Sequence, residues 1–547
     1  MNPDQLLNQA KSLQKAGRLQ EATIAFEKLR TLYPKFTPIL NDLGILYLQQ
    51  ERLKEGMELL EKSLRIDPKQ PLISFNLGRA YQAQEKFKEA AHAFHQTRKL
   101  KPEFTDAYFN EAYALFCLEQ FDEALVLFHH VASLSPNSAH AINALGISLY
   151  HSGKYEEALR QLKTALNLNI TSPEIHNNIG LALHKLNCFE DAIEHYSKAI
   201  ALNPMYADAI SNRGLTFQSM RKVNDALKDF NNAISINPSH ADAQWNKSLL
   251  EIMIGNFKEG WLRYEWRWQS FSKKWSRHYD KPLWLGKESL QGKSILIYPE
   301  QGYGDFIQFY RYIDKLLLLG SKVILETPEP LIALIAESSN MVEIIESGKK
   351  LPNFDFQCPI MSLPLAFKTN LENLPCETPY IRTSPQKLKL WVDKLGVKSK
   401  KRIGVAWSGS KEHKNDHNRS IALIELSALL EMPFEFHSLQ KEIRDSDQDF
   451  FDRSSIINHQ NDIKDFSDTA ALIETMDLVI SVDTSIAHLA GSLNKSLLLL
   501  LPFNADYRWM HYRLDSPWYP SATLLRQSEF GKWNEVIEDL KKLCLDS

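Results

Sequence analysis

Three short segments of this 547-residue chain carry residue types that do chemistry, each between a strand-like run and a helix-like one. The first is Gly302-Tyr303-Gly304-Asp305. Gly302 and Gly304 permit a tight turn and a close backbone approach. Asp305 falls at a predicted helix N-terminus, where a carboxylate either serves as general base for a hydroxyl or caps the helix. The second is Asp483-Thr484-Ser485 with His488 one turn on. Free backbone N–H groups, two hydroxyls and the helix dipole suit a diphosphate, and His488 would add a donor. Capping by Ser485 and a packed His488 would leave the same pattern. The third is the loop Ser408 to Ser420. From Lys387 to Ser420 ten Lys/Arg stand against three Asp/Glu, a density that neutralises phosphate. Arg419 and Lys414 are its candidate phosphate ligands; Lys398, Lys400 and Lys401 read as a solvated face.

The elements that must position these loops alternate. Ser294–Glu300, Lys322–Thr327, Val342–Glu346 and Phe354–Cys358 are strand-like, with helices over Phe306–Leu319 and Pro330–Glu337. A Pro-rich stretch, Glu372–Lys387, reads as a linker. A second series has strands at Arg402–Trp407, Phe434–Leu439, Leu478–Val482 and Leu497–Leu501. Its helices fall at Ile421–Leu430, Thr469–Met476, Ser485–Ser492 and Trp533–Cys544. Two βαβ series in tandem predict two parallel sheets, with ligands at the carboxyl ends of strands.

The first half has a different rhythm. Proline returns every 34 residues at Pro34, Pro68, Pro102, Pro136, Pro204 and Pro238, with Ile170 in the remaining slot. A small column (Ala10, Gly44, Gly78, Ala112, Gly146, Gly180, Gly214, Ser248) and a bulky one (Phe26, Leu60, Phe94, Phe128, Leu162, Tyr196, Phe230, Tyr264) keep step. The small residues let paired helices approach, and the bulky ones are expected to fill the gap between neighbouring pairs. A further column reads Asn8, Asp42, Asn76, Asn110, Ala144, Asn178, Asn212, Asn246; such amides either hold a peptide backbone or are plain repeat consensus. This periodicity resembles the tetratricopeptide repeat (TPR), which implies an α-superhelix with a concave inner face. Five of 11 tryptophans lie between Trp261 and Trp284, a density that predicts a packed joint.

Bulk properties narrow the classes. A net charge of -3 gives no global field for nucleic acid, and the longest aliphatic run, Leu497–Leu501, is too short to span a bilayer. The five cysteines form no CxxC, and no GxGxxG occurs, so neither a zinc site nor a dinucleotide cofactor is expected. A cytoplasmic protein fits.

Taken together, the three loops resemble those of the bacterial heptosyltransferase-like glycosyltransferases of the GT-B fold. The family has a glycine turn and Asp after its first strand, here Gly304-Asp305. It also has Asp-Ser-Gly-x-x-His-Leu-Ala, here Asp483, Thr484, Ser485, His488, Leu489, Ala490. Ser485 in place of glycine, and Arg419-Ser420-Ile421 in place of a Lys-x-Trp-Pro-like loop, leave the donor sugar open. Pro299–Asp305 with Gln308, Phe309, Arg311, Tyr312 and Asp515–Pro520 resembles bacterial fusions of TPRs to such a domain, some of which glycosylate proteins such as flagellin. The order also resembles O-GlcNAc transferases, whose asparagine ladder holds extended peptide; Asn76, Asn110, Asn178, Asn212 and Asn246 would be the counterpart.

The resemblance implies an α plus α/β chain: repeats over 1–240, a half repeat and joint over 241–284, and Rossmann-like GT-B domains over 285–385 and 386–547. It implies an inverting, metal-independent glycosyltransferase that uses a nucleotide-sugar as substrate, with no cofactor and no metal ligands. Asp305 would be the base, and Arg419, Lys414, Asp483, Thr484, Ser485 and His488 would hold the donor. A protein or peptide acceptor would lie in the TPR groove, with no nucleic acid partner and no membrane span. The alternatives are an inactive TPR scaffold, or a transferase for a glycan or lipid-linked acceptor whose TPRs only recruit partners.

Overall fold

The structure is a computed structural model that describes residues 3–270, 277, 279–413 and 415–546. Helices of 13 and 14 residues alternate from Pro3–Lys15 and Leu19–Leu32 through Ala207–Ser219 and Val223–Ile236. The last pair is Ala241–Met253 with a shortened Phe257–Tyr264, continued by a 3-10 turn over Glu265–Trp268. Each pair turns through a left-handed residue that repeats with the same period: Gly17, Glu51, Glu85, Glu119, Gly153, Asn187, Arg221 and Gly255. Proline follows the end of the second helix, as at Leu32, Ile66, Leu100 and Leu134, where its ring cannot continue the helix.

The chain forms two compact units, Met1–Thr216 and Phe217–Ser547. Within the first, the small and bulky columns meet inside one helix pair, and the bulky side chains also reach the next pair: Leu60 clusters with Ile73 and Leu77, Leu162 with Ile175 and Ile179. A Cβ on Gly44 would lie 2.6 Å from Leu60, on Gly78 2.7 Å from Phe94, and on Gly180 2.6 Å from Tyr196. Glycine leaves a bare floor on the first helix, and the bulky side chain of the second lies on it.

The second unit holds two parallel sheets. The first contains β1 (Ser294–Tyr298), β2 (Lys322–Thr327), β3 (Glu343–Glu346) and β4 (Phe356–Pro359) in the order β3-β2-β1-β4. The second contains β5 (Arg402–Ala406), β6 (Glu435–Ser438), β7 (Leu478–Val482), β8 (Leu497–Leu501) and β9 (Ala522–Arg526) in the order β6-β5-β7-β8-β9. Successive strand residues enter different cores: Leu497, Leu499 and Leu501 one, Leu498 and Leu500 another. That alternation is why such strands read as unbroken apolar runs.

Helix Phe257–Tyr264 is built into this unit. Trp261 and Tyr264 are 1% exposed and pack on Phe309, Tyr507 and Trp518. Arg267 is fully buried. Its Nε donates to Glu300 Oε2 at 2.7 Å, and its Nη2 to Glu300 Oε1 at 2.9 Å and to Ser362 Oγ at 2.7 Å. The tryptophan-rich joint is thus a fixed interface; Trp275 lies outside the described residues. Among the described residues no helix is long and apolar enough to cross a membrane.

Candidate functional site

In each sheet the strand order reverses next to the first strand of its series, and that reversal opens a crevice at the carboxyl ends. In the first sheet it lies between β1 and β4; in the second, between β5 and β7. The three loops singled out above leave β1, β5 and β7 at those ends.

The loop after β1 enters helix Tyr303–Tyr310, with Gly302 at its N-cap. Gly302 N–H donates to Asp305 Oδ2 at 2.9 Å, so Asp305 does cap its helix. Its other oxygen, Oδ1, accepts from Arg508. Each carboxylate oxygen has two lone pairs, so these bonds leave acceptor capacity on both. Arg508 is 8% exposed and also pairs with Asp506, Nη1 to Oδ1, at 3.1 Å. Burial opposes its charge, but Asp506, Tyr507, Asp305 and Asp483 hold its guanidinium pKa well above the ordinary value. Arg508 lies in the long segment between β8 and β9, ahead of the Asp515–Pro520 string, and no local pattern in the sequence marks it.

The loop after β7 enters helix Ser485–Ser492. Thr484, not Ser485, is its cap, accepting from Ile486 N–H at 3.3 Å; Ser485 opens the first turn, partly exposed. Asp483 is 9% exposed. Burial, reinforced by Asp506, pushes its carboxyl up to about 6, against the opposing pull of Arg508 and Arg419. His488 is buried behind the helix start: Nδ1 lies 2.8 Å from Tyr519 Oη, and the ring stacks on Trp509 with centroids 5.3 Å apart. Burial and then Arg508 hold its pKa well below the ordinary value, so the ring is neutral. Its Nε2 stands 4.0 Å from Asp483 Oδ1.

Gly304 lets the two helix starts meet. A Cβ there would lie 2.8 Å from His488 Cδ2 and 3.5 Å from Ser485 Cα. The starts of helices from different sheets therefore sit against each other, with Asp305 and Ser485 on neighbouring turns.

The loop after β5 closes the group. Arg419 ends the short helix Asp416–Arg419 rather than preceding a long one. Its Nη1 donates to the Asp483 carbonyl at 2.9 Å, its buried Nε faces Asp416 Oδ1 at 3.7 Å with no hydrogen-bond partner among the described residues, and its guanidinium lies over Gly409. Asp416 anchors the helix through Ser420 Oγ at 2.7 Å and Arg444. Gly302, Gly304, Asp305, Arg419, Asp483, Thr484, Ser485 and His488 are thus brought together; Lys414 lies outside the described residues. Two Asp-x-Asp triplets, Asp445-Ser446-Asp447 and Asp447-Gln448-Asp449, escaped the sequence reading. Asp447 is buried and structural: it accepts from Trp407 Nε1 at 2.9 Å and Leu423 N–H at 3.1 Å.

The second conspicuous string is a clasp. Arg311, 5% exposed, donates to the carbonyls of Gln308, Pro375 and Trp518 at 2.7–2.8 Å and to Tyr380 Oη at 3.0 Å. It ties the helix of the first sheet to Trp518 of the second.

The asparagine column behaves unevenly. Asn178 Nδ2 donates to Asn143 Oδ1 and Asn212 Nδ2 to Asn177 Oδ1, each at 3.0 Å, so both bond the preceding repeat. Asn110 bonds its own helix at the Asp106 carbonyl, 2.7 Å away. Asn76 and Asn246 are partly exposed, without a side-chain hydrogen bond among the described residues.

Comparison with known family models matches the repeats. Family models described as tetratricopeptide repeat match residues 7–71, 75–139 and 173–206, and one described as TPR repeat matches 146–187. Protein FlbA of Caulobacter vibrioides is 21% identical over 321 residues, 53% of each chain; this chain spans about half the length of that curated relative. Among solved structures, YrrB, described as a TPR protein with an unusual peptide-binding site, is 21% identical, with 35% of this chain and 98% of that one covered and a TM-score of 0.29. A tetratricopeptide repeat protein from Parabacteroides merdae is 16% identical, covering 45% and 98%, with a TM-score of 0.38. MamA from Desulfovibrio magneticus RS-1 is 19% identical, covering 31% and 96%, with a TM-score of 0.30. The chain is a TPR-containing protein whose C-terminal region is built on two parallel sheets.

Proposed function

We propose that the second unit is an inverting glycosyltransferase that takes a nucleotide-sugar donor and a protein or peptide acceptor. What supports this most is the convergence of Asp305, Arg419 and the Thr484–Ser485 helix start at the carboxyl ends of both sheets. In this reading Asp305 accepts the proton of the acceptor hydroxyl. The oxygen then attacks the anomeric carbon from the face opposite the nucleotide, the carbon–oxygen bond to phosphate breaks, and the diphosphate leaves. Arg419, whose buried Nε faces Asp416 Oδ1 at 3.7 Å but makes no hydrogen bond among the described residues, and the N–H groups opening helix Ser485–Ser492 take up its charge. Arg508 keeps Asp305 in place and stands ready to meet a phosphate. Asp483, its carboxyl pushed up to about 6 by burial, is charged at neutral pH, and Arg508 and Arg419 offset that charge beside the incoming anion.

TPR arrays bind protein partners, which favours a protein acceptor. The engagement of Asn178 and Asn212 within the array supports a second reading, in which the repeats recruit a partner without threading a peptide along the column.

The test is turnover of a panel of nucleotide-sugars by wild type and Asp305→Ala, with thermal shift on the same ligands. We expect at least one donor to stabilise both chains and to be consumed by wild type only, with a loss of ~10²–10⁴ in rate for the variant. No turnover and no stabilisation by any nucleotide would refute the enzyme reading and leave a scaffold. An Asp305→Ala chain that works at the wild-type rate would remove Asp305 from the chemistry.

A further inference from the structure

A cavity of about 260 Å³ shares no lining residue with the site above; Arg221, His511, Tyr512, Arg513, Leu514 and Arg526 line it. Arg221 occupies the left-handed turn before helix Val223–Ile236. Its Nε donates to the Phe503 carbonyl at 2.7 Å, and its guanidinium lies 3.9 Å above the Phe503 ring. Arg526, at the end of β9, donates to the carbonyls of Arg513 (3.1 Å) and Trp509. Among the described residues neither arginine meets a carboxylate. Arg513 does, through Asp515 at 3.0 Å, but no acidic residue lines the cavity. Each guanidinium carries five N–H donors, more than these carbonyls take up.

Both arginines are partly buried, and even partial desolvation of a cation without a counter-charge is costly. Burial lowers the pKa of both guanidinium groups, and Arg221 adds to the effect on Arg526, which falls to about 10; both remain charged at neutral pH. Beside them His511 Nε2 is buried with no hydrogen-bond partner among the described residues. Burial, then Arg221 and Arg526, hold that imidazole down to about 4. The wall is an aromatic one: Tyr512 is 82% exposed, with its ring 5.3 Å from that of His511. Met510 and Tyr512 both hold positive φ, 53° and 57°, and left-handed backbone at bulky residues persists only where the surroundings impose it.

We propose that this cavity binds a phosphate group, either free or carried by a small metabolite such as a sugar phosphate. Two uncompensated guanidinium groups supply the charge and the forked donors that phosphate takes, and the exposed ring of Tyr512 offers a face for the remainder of a ligand. The volume exceeds what inorganic phosphate alone would fill.

The test uses the full chain. Phenylglyoxal modification with peptide mapping is run without ligand, with inorganic phosphate, and with glucose 6-phosphate, alongside calorimetric titration of the same two probes. We expect both to slow modification of Arg221 and Arg526, including in an Arg419→Ala chain, which separates this site from the proposed donor site. Stronger protection by the sugar phosphate assigns a metabolite; equal protection assigns the free anion. Arg221→Gln and Arg526→Gln should each weaken binding by about tenfold or more, the worth of a charge-assisted hydrogen bond. Mapping the unaltered chain covers the case in which Arg526→Gln misfolds. Unchanged modification of both arginines with either probe, or undiminished affinity in folded Arg221→Gln, overturns the proposal.

Discussion

Replacing Gly304 by alanine sets two effects of opposite sign against each other. Alanine in place of a helical glycine ordinarily stabilises by up to about 1 kcal/mol through backbone entropy, less in a first turn. Here the new methyl would stand 2.8 Å from His488 Cδ2, against the ~3.5–4.0 Å of ordinary carbon contact. His488 has nowhere to retreat: it is held by Tyr519 Oη at 2.8 Å and stacked on Trp509. Ser485 Cα, 3.5 Å from the methyl, blocks a sideways shift. Overpacking of this kind costs ~1–3 kcal/mol, so the net expectation is a loss of about 1–2 kcal/mol. Urea unfolding followed by tryptophan fluorescence measures it, with Gly302→Ala as the milder control, since that methyl meets only Asp305 Oδ2 at 3.3 Å. A double-mutant cycle with His488→Ala isolates the contact, and Gly304→Ala should cost less by about 1 kcal/mol where the ring is gone. A neutral or stabilising Gly304→Ala, or a cost unchanged without His488, would refute the apposition of the two helix starts.

Three further outcomes follow from the same geometry. Arg267→Met alone strands Glu300 in the core and should cost ~3–5 kcal/mol in urea unfolding, much of it recovered in Arg267→Met/Glu300→Gln. Asp483 titrates higher in the folded chain, at about 6, than in the unfolded one, so its contribution is most favourable at low pH and is lost between about pH 4 and pH 6. Asp483→Asn should therefore gain up to about 3 kcal/mol over wild type at pH 8 and nothing below about pH 4, as unfolding free energies at the two pH values would show. Asn178→Ala and Asn212→Ala each remove a hydrogen bond to the preceding repeat and should lower array stability by about 1 kcal/mol, whereas Asn76→Ala leaves the melting curve unchanged.

What could be read in the sequence depended on whether local pattern or tertiary contact decides the element. β2, β7, β8 and helix Ser485–Ser492 have the predicted bounds, because buried parallel strands are uninterrupted apolar runs bounded by polar turns. The helix expected over Phe306–Leu319 is instead Tyr303–Tyr310 and Ile313–Leu318. It breaks at Arg311-Tyr312, where the Arg311 guanidinium is drawn to the Pro375 and Trp518 carbonyls, partners distant in sequence. Helix Pro385–Leu395 begins inside the stretch that read as linker, since proline at a first helical position looks the same as proline in a loop. β9 was missed: it lies at the sheet edge beside β8, with one bridge from Thr523 to Asp515, and its exposed Thr523 leaves no unbroken apolar run. In the site, Asp305 and Asp483 stand out by lying just after strands of their own series. Arg508 does not, because its meaning comes from meeting Asp305, 203 residues away.

The joint changes how the repeats and the site are connected. Arg267 follows the last repeat helix by three residues and is bonded twice to Glu300, which lies two residues before the Gly302 N-cap of the Asp305 helix. Glu265 and Ser362 complete the cluster: Ser362 Oγ donates to Glu265 Oε1 at 2.8 Å, and Glu300 Oε1 accepts from Met361 N–H at 3.3 Å. The loop that places Asp305 is therefore braced from the repeat side by a buried ion pair and from the sheet side by β1. Buried pairs of this sort are weak sources of net stability, but they hold charged groups in one geometry because any other leaves a charge unpaired. The eighth helix pair is consequently packed into the unit that carries the candidate site, with Tyr264 Oη 3.2 Å from Tyr507 Oη, next in sequence to Arg508. Changes that disturb Arg267 should reach Asp305 through Glu300 even though Arg267 touches neither donor nor acceptor in the proposed reaction.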